Sequence, residues 1–138
     1  MTAIPDLSRD DYRALAELRY RIRRFLHFSE RAAREAGLEP QQHQLLLAVR
    51  GLPGGRQPSI SELAERLQLA HNSTQELVRR VEHRGMVTTR QGSDDRRQVL
   101  VDLTPSGARA LRRLSVAHLA ELRSEASTLS AWLERLTA

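Results

Sequence analysis

A chain of 138 residues, 40% hydrophobic and 28% charged, has the length and composition of one soluble domain with a core of its own. Net charge is +5, all 22 basic residues are arginine and cysteine is absent, which excludes disulfides, thiolate metal sites and thiol redox chemistry. With 4% aromatic residues it lacks the stacking platforms of single-strand binders. No apolar run approaches the roughly 20 residues of a bilayer span and no secretory-type signal opens the chain, so a cytoplasmic location is expected.

The first periodic segment runs from about Asp11 to Glu35. Tyr12, Leu15, Leu18, Ile22 and Leu26 recur at helical steps, Phe25, Phe28 and Ala32 widen the stripe, and Gly37 marks the stop. A short helix over Gln41–Arg50, entered through Pro40, is apolar nearly all round and is therefore expected in the core. The Gly/Pro-rich stretch from Gly51 to Pro58 reads as a connector.

Ser59 and Glu62 form a capping box that opens a helix to about Leu67. The next helix is expected to start at Asn72 or Ser73, both of which fit a capping box, and to end at Gly85. Leu77, Val78 and Val81 form its inner side; Gln75, Arg79, Arg80 and His83 form its outer side. Val87–Arg90 and Gln98–Leu103 are β-branched runs around a polar turn, a hairpin with Val99, Val101 and Leu103 facing inward. Thr104 caps a helix with Pro105 at its first position, and the chain stays helical almost to its end. Ser124–Thr128 breaks the apolar register there, which predicts a kink or a separate final helix.

Two short helices followed by a hairpin have the order of a winged helix-turn-helix, a device for reading duplex DNA. The N-terminal end of its second helix would meet base edges, which singles out His71, Asn72, Ser73, Thr74 and Gln75. Gln75 suits a bidentate pair with adenine and Thr74 a thymine methyl, while Arg79 suits guanine or phosphate. Arg80 and Arg84 suit phosphate. At the hairpin tip Asp95 precedes Arg96 and Arg97, a pattern that can present guanidinium to a narrow minor groove. The plain alternative is a solvated helix face and a charged turn. Arginine content decides nothing between these, since codon usage alone can produce it; placement carries the argument.

The run Ser61-Glu62-Leu63-Ala64-Glu65-Arg66-Leu67, the Val-Arg-Arg-Val-Glu-His-Arg-Gly of residues 78–85, the Asp95-Arg96-Arg97 tip and Leu103-Thr104-Pro105-Ser106-Gly107 resemble the MarR (multiple antibiotic resistance regulator) family over nearly the whole chain. The resemblance implies a mainly α fold with a small β-hairpin wing, a single domain over 1–138. Its winged helix-turn-helix would span about 41–104, between dimerisation helices at about 11–36 and 105–138. It implies a homodimeric regulator on a pseudo-palindromic operator, with the family's wing motif falling on Asp95 and Arg97. Dimerisation has support of its own: the terminal helices carry more apolar stripe than one small lobe can cover.

The resemblance also implies an effector pocket between the dimer helices and the DNA-reading lobe, with Tyr12, Arg23, His27, Arg31, His43 and His118 as candidates for a small aromatic or anionic ligand. Surface charges and satisfied interface histidines are the alternative reading. A zinc set of His27, Glu30, His43 and His118 lacks tight ligand spacing, so no metal and no cofactor are expected. No phosphate-binding Gly loop, nucleophile elbow or HExxH motif is present, and the chain is not expected to be an enzyme. The competing function is a winged-helix module that grips protein rather than DNA.

Overall fold

The computed structural model describes residues 3–137, so the outermost residues of the expected 1–138 domain lie outside it. Five helices and one hairpin follow in the order α1 (Arg9–Glu35), α2 (Pro40–Arg50), α3 (Ile60–Leu67), α4 (His71–His83), β1 (Val87–Gln91), β2 (Val99–Leu103) and α5 (Pro105–Thr137). None of these helices is long and apolar enough to cross a membrane.

Helix α1 starts earlier than the periodicity suggests, because Ser8 and Asp11 close a reciprocal capping box. Ser59 and Glu62 do the same for α3. The Arg56 guanidinium grips the Glu62 carboxylate at 2.8 and 2.5 Å and, more than any other neighbour, holds it below the usual carboxylate range. Between α3 and α4 lie three residues, with Gln68 left-handed at φ 54°. Helix α4 begins at His71, one residue before the expected cap, with Ala70 at the N-cap and no side chain bonded to its first turn.

The core lies where α2, α3, α4 and the hairpin meet the start of α5. Leu45, Leu46, Leu63, Val81, Val87 and Val101 are essentially sealed there. Leu47 is an exception to the expected all-round burial of α2 and stands about half exposed at 45%. The antiparallel hairpin pairs Val87 with Leu103 and Gln91 with Val99. Val99 does not face inward as the alternation predicts: by that point the ribbon has passed the edge of the lobe, and the side chain is exposed. The connector is not a passive loop either. Pro58 O accepts from Val101 N at 2.9 Å and Ser59 bridges Leu100, so the stretch before α3 docks as a third edge on the hairpin.

Helix α5 continues without interruption through Ser124–Thr128, against the expected break. A polar stretch that stays in contact with α1 does not end a helix: Arg21 of α1 meets Glu125 at 3.1 Å in the middle of it. Along α1 the fully buried residues are small or polar, Ala14, Ser29 and Ala33, with Leu18, Phe25 and Phe28 partly buried beside them, while Tyr12, Leu15, Ile22 and Leu26 point outward. On α5, Val116, Leu119 and Leu133 are exposed in the same way. These two long helices pack against each other and still present an apolar outer face.

Candidate nucleic-acid interface

The first turn of α4 leaves its backbone N–H groups without a side-chain cap, and the positive end of the helix dipole lies at the same place. His71, Asn72, Ser73 and Gln75 are exposed around that turn. Across from them rises the wing. A groove of about 310 Å³ runs between the two, lined by His71 and Gln75 on one side and by Asp95, Arg97, Gln98 and Val99 on the other, with Ser61 of α3 on its floor. Ser61, Gln98 and Val99 were not among the residues singled out from sequence. Ser61 sits inside the α3 capping box, between Ser59 and Glu62, a position that marks the helix start but not the direction it faces.

The tip holds its shape through short-range bonds. Gly92 N donates to Gln98 O at 2.9 Å, Gln98 N to Asp95 O at 3.1 Å, and Arg97 N to the Asp95 carboxylate at 3.0 Å. A side chain at Gly92 would collide with Asp95 O, which explains a glycine at the start of the turn. Asp95 thus organises the backbone while touching the Arg97 guanidinium only loosely, at 3.8 Å, and the Arg97 side chain is 97% exposed. Glu82 receives both the N–H and the hydroxyl of Thr89, which ties the wing to the last turn of α4. Arg90 donates twice to Gln57, so it belongs to the wing's scaffold.

Not every expected contact faces this groove. Thr74 is fully buried, and its hydroxyl donates to Ala70 O at 3.0 Å. It is a core residue that braces the helix start, so the expected thymine contact is withdrawn. Arg84 donates to Gln42 of α2 at 2.7 Å at the C-terminal end of α4, the opposite end of the helix from the groove. Arg79 and Arg80 are exposed, with Glu76 between them at 2.8 and 3.5 Å. Arg80 also lines a second cavity, of about 590 Å³, between α1, α2 and α4.

The six ligand candidates do not assemble. Tyr12, Arg23, His27 and Arg31 are exposed along α1, whereas His43 is sealed in the core and His118 is half-buried beside it. The larger cavity is lined by other residues, among them Glu30, Arg34, Glu39 and Gln41. Leu114 O can only accept, so His118 Nδ1 donates to it at 2.7 Å, and Nε2 shares a hydrogen bond with the Ser29 hydroxyl at 2.7 Å. Both histidines therefore serve the packing of α1, α2 and α5. The zinc set does not form, and among the described residues no three of His, Cys, Asp or Glu are grouped to hold a metal ion.

Residues 36–98 match the model of the MarR family, a span from the end of α1 to the wing tip. The whole fold is similar to AbsC, a MarR family transcriptional regulator from Streptomyces coelicolor, at a TM-score of 0.70 and 21% identity over 90% of this chain and 81% of that one. It is also similar to a MepR variant from S. aureus solved bound to an oligodeoxyribonucleotide (TM-score 0.66, 15% identity, 88% and 84% covered). A third similar structure is the M. tuberculosis transcriptional regulator MosR in complex with DNA (TM-score 0.60, 23% identity, 83% and 80% covered). No curated protein matches the chain in sequence. The winged lobe, residues 36–98, thus matches the MarR family model, and the chain as a whole shares the fold of those structures, with its long helices on either side of the lobe arranged as in them.

Proposed function

We propose that the protein is a homodimeric, sequence-specific regulator of transcription that binds a pseudo-palindromic site on double-stranded DNA. The observation that carries this reading is the groove between the start of α4 and the wing, with Gln75 and Arg97 on its opposite walls. A helix that enters the major groove by its N-terminal turn offers uncapped N–H groups to phosphate and His71, Asn72, Ser73 and Gln75 to base edges. Arg96 and Arg97 at the tip reach the neighbouring minor groove, and Arg79 and Arg80 the backbone.

Two copies are needed for such a site, and the apolar outer faces of α1 and α5 support that pairing. The paired α4 helices then stand roughly 34–36 Å apart, one turn of duplex. The reading we favour is repression: a dimer clamped over a promoter excludes other proteins from the same grooves. A small aromatic or anionic ligand that prefers a different spacing of the lobes releases the DNA, because it binds the two arrangements unequally.

The test is a footprint on the DNA that flanks the protein's own coding region, followed by affinity measured against salt. A protected pseudo-palindrome and a log K that falls linearly with log salt are expected, since each neutralised phosphate releases counterions. A flat salt response, or no duplex binding in dilute buffer, would overturn the reading and favour a module that grips protein.

A further inference from the structure

The wing is tied to the rest of its lobe at the base only. On β1, Glu82 of α4 holds Thr89, and one residue further out Arg90 donates through Nε and Nη2 to the Gln57 side-chain oxygen, at 2.9 and 2.5 Å. On β2, Leu100 bridges Ser59 and Val101 N reaches Pro58 O. From Gln91 to Val99 the hydrogen bonds among the described residues stay inside the hairpin, as from Gln91 to Arg96 O and from Arg97 N to Asp95. A two-stranded ribbon by itself is marginally stable at best in water, so the direction of this one depends on its ties. Gln57 supplies the outermost side-chain tie. At about 3.3 Å per residue, the tip with Arg96 and Arg97 stands roughly 10 Å beyond it.

The tie needs a side chain of both polarities. Arginine only donates and an ionised carboxylate only accepts, so the Gln57 amide oxygen faces Arg90 and its nitrogen donates to Asp102 Oδ2 at 2.9 Å. Arg90 lies opposite Leu100 in the ladder and Asp102 two positions further along β2, which makes the two charges diagonal neighbours with the amide set between them. Both of its contacts are to charged groups, the stronger kind. The other Asp102 oxygen accepts from Leu103 N at 2.9 Å. Glutamate in place of Gln57 would meet Asp102 with a like charge, and lysine would meet Arg90 in the same way. The backbone beneath the amide is fixed on both sides. Arg56 is gripped by Glu62 of the α3 capping box, and Pro58 is buried with its carbonyl on Val101 N.

The start of α3 also lines the reading groove, through Ser59, Ile60 and Ser61. Glu62, Arg56, Gln57 and Arg90 therefore form a continuous hydrogen-bonded path from that end of α3 to the wing. We propose that Gln57 is a positioning residue for DNA reading: without touching DNA, it holds the wing at the separation from α4 at which Arg97 and Gln75 engage one site together. The role in binding rests on the DNA-reading function proposed above; the hold on the wing does not.

The experiment has two readouts. In the DNA-free protein, nitroxides on Asp94→Cys at the tip and Glu65→Cys on α3 report the distance distribution between them. The chain has no cysteine of its own, so both labels are unique, and dilution with unlabelled protein removes distances between copies. The distribution should broaden in Gln57→Met, which keeps the side-chain length and deletes both hydrogen bonds. On the duplex protected in the footprint, Gln57→Met should weaken binding about tenfold, but less than about twofold in an Arg96→Ala/Arg97→Ala background, where the tip has no contact left to misplace. Gln57→Glu should also weaken binding, and Asp102→Asn added to it should restore the parent affinity, because amide and carboxylate have then exchanged places. The proposal is overturned by an unchanged distribution, by the same loss in both backgrounds, which is how general destabilisation would act, or by failure of the rescue. A parent that binds no duplex overturns the DNA reading itself and the binding role given to Gln57 with it. That outcome stands apart from the others, because the distances are measured without DNA.

Discussion

The rings of His43 and His118 stand 4.8 Å apart at the junction of α1, α2 and α5, where an otherwise apolar interior admits two imidazoles. Phe25 and Phe28 meet His118 edge-on, at 5.9 and 5.3 Å between ring centres. His118 is satisfied on both nitrogens, by Leu114 O and by Ser29. His43 is 2% exposed, and its nearest polar partner is the Gln44 amide at 3.4 Å from Nδ1. Burial first, and repulsion from His118 second, lower its pKa from 6.5 to about 4.

Stability should accordingly fall as the solution is acidified through that interval. Below 6.5 the unfolded chain takes up a proton on His43 that the native core refuses; near pH 4 both states carry it and the decline levels off. At about 1.4 kcal/mol per pKa unit the decline is roughly 3 kcal/mol, a sizeable part of a small domain's stability. Urea unfolding at several pH values from 7.5 downward, compared with His43→Leu, measures it. The variant should lose this part of the acid dependence. An unchanged slope between pH 6.5 and 5, above most carboxylate titration, would show that His43 is not responsible.

Arg97→Ala should weaken operator binding about tenfold and flatten the salt slope by about one for each phosphate that is no longer neutralised, with the dimer intact. The side chain is almost wholly exposed and supports nothing in the fold, so a change in melting temperature is not expected. Gln75→Ala should behave differently, with relaxed base preference at one position in each half-site at a cost of about 1–3 kcal/mol. Selection from a randomised operator distinguishes the two. Indistinguishable variants would mean that helix and wing do not divide the labour in this way.

Features fixed by near neighbours are legible in this sequence. The Ser59/Glu62 box, the Thr104–Pro105 start and the Gly85 stop each depend on residues within one turn, and the folded chain obeys them. What escapes is set by distant partners. Thr74 reads as an outward polar residue, yet packing buries it; Arg84 reads as a phosphate contact, yet it reaches Gln42, 42 positions earlier. Nothing local in Gly51–Pro58 announces the pairing of Pro58 with Val101. Periodicity likewise marks one face of α1 as apolar without saying whether its own lobe or a second chain covers that face. The six ligand candidates do not gather in one cavity of the single chain for the same reason, since a cavity is formed by several elements and no single one of them encodes it.

Gly107→Ala should destabilise the winged lobe by about 1–3 kcal/mol, the usual cost of forcing an extra methyl into a packed site. A Cβ there would be driven into the Met86 carbonyl, where the first turn of α5 passes over the base of the wing. The same carbonyl accepts from Thr104 N at 3.0 Å, so the helix cannot retreat without loosening that bond. A lower urea midpoint and faster amide exchange in β1 and β2 are expected. A midpoint equal to that of the parent would show that the contact relaxes freely.

Leu26→Glu combined with Leu119→Glu should yield a folded monomer. Both side chains are about half exposed, at 50% and 47%, so their replacement opens no cavity in the lobe. On the outer face they stand with Tyr12, Leu15, Ile22, Val116 and Leu133, each still able to bury about half its surface. At roughly 1 kcal/mol apiece, that is enough to drive association of two copies once opposed, and buried glutamates would reverse it. Sedimentation should show the parent at twice the chain mass and the variant at one. On a duplex with two half-sites the variant should also lose at least about a hundredfold in affinity, because each lobe then binds alone without the other's effective concentration. A parent that sediments as a single chain, or a variant that still pairs, would place the dimer contact elsewhere or remove it, and with it the paired spacing on which operator recognition depends.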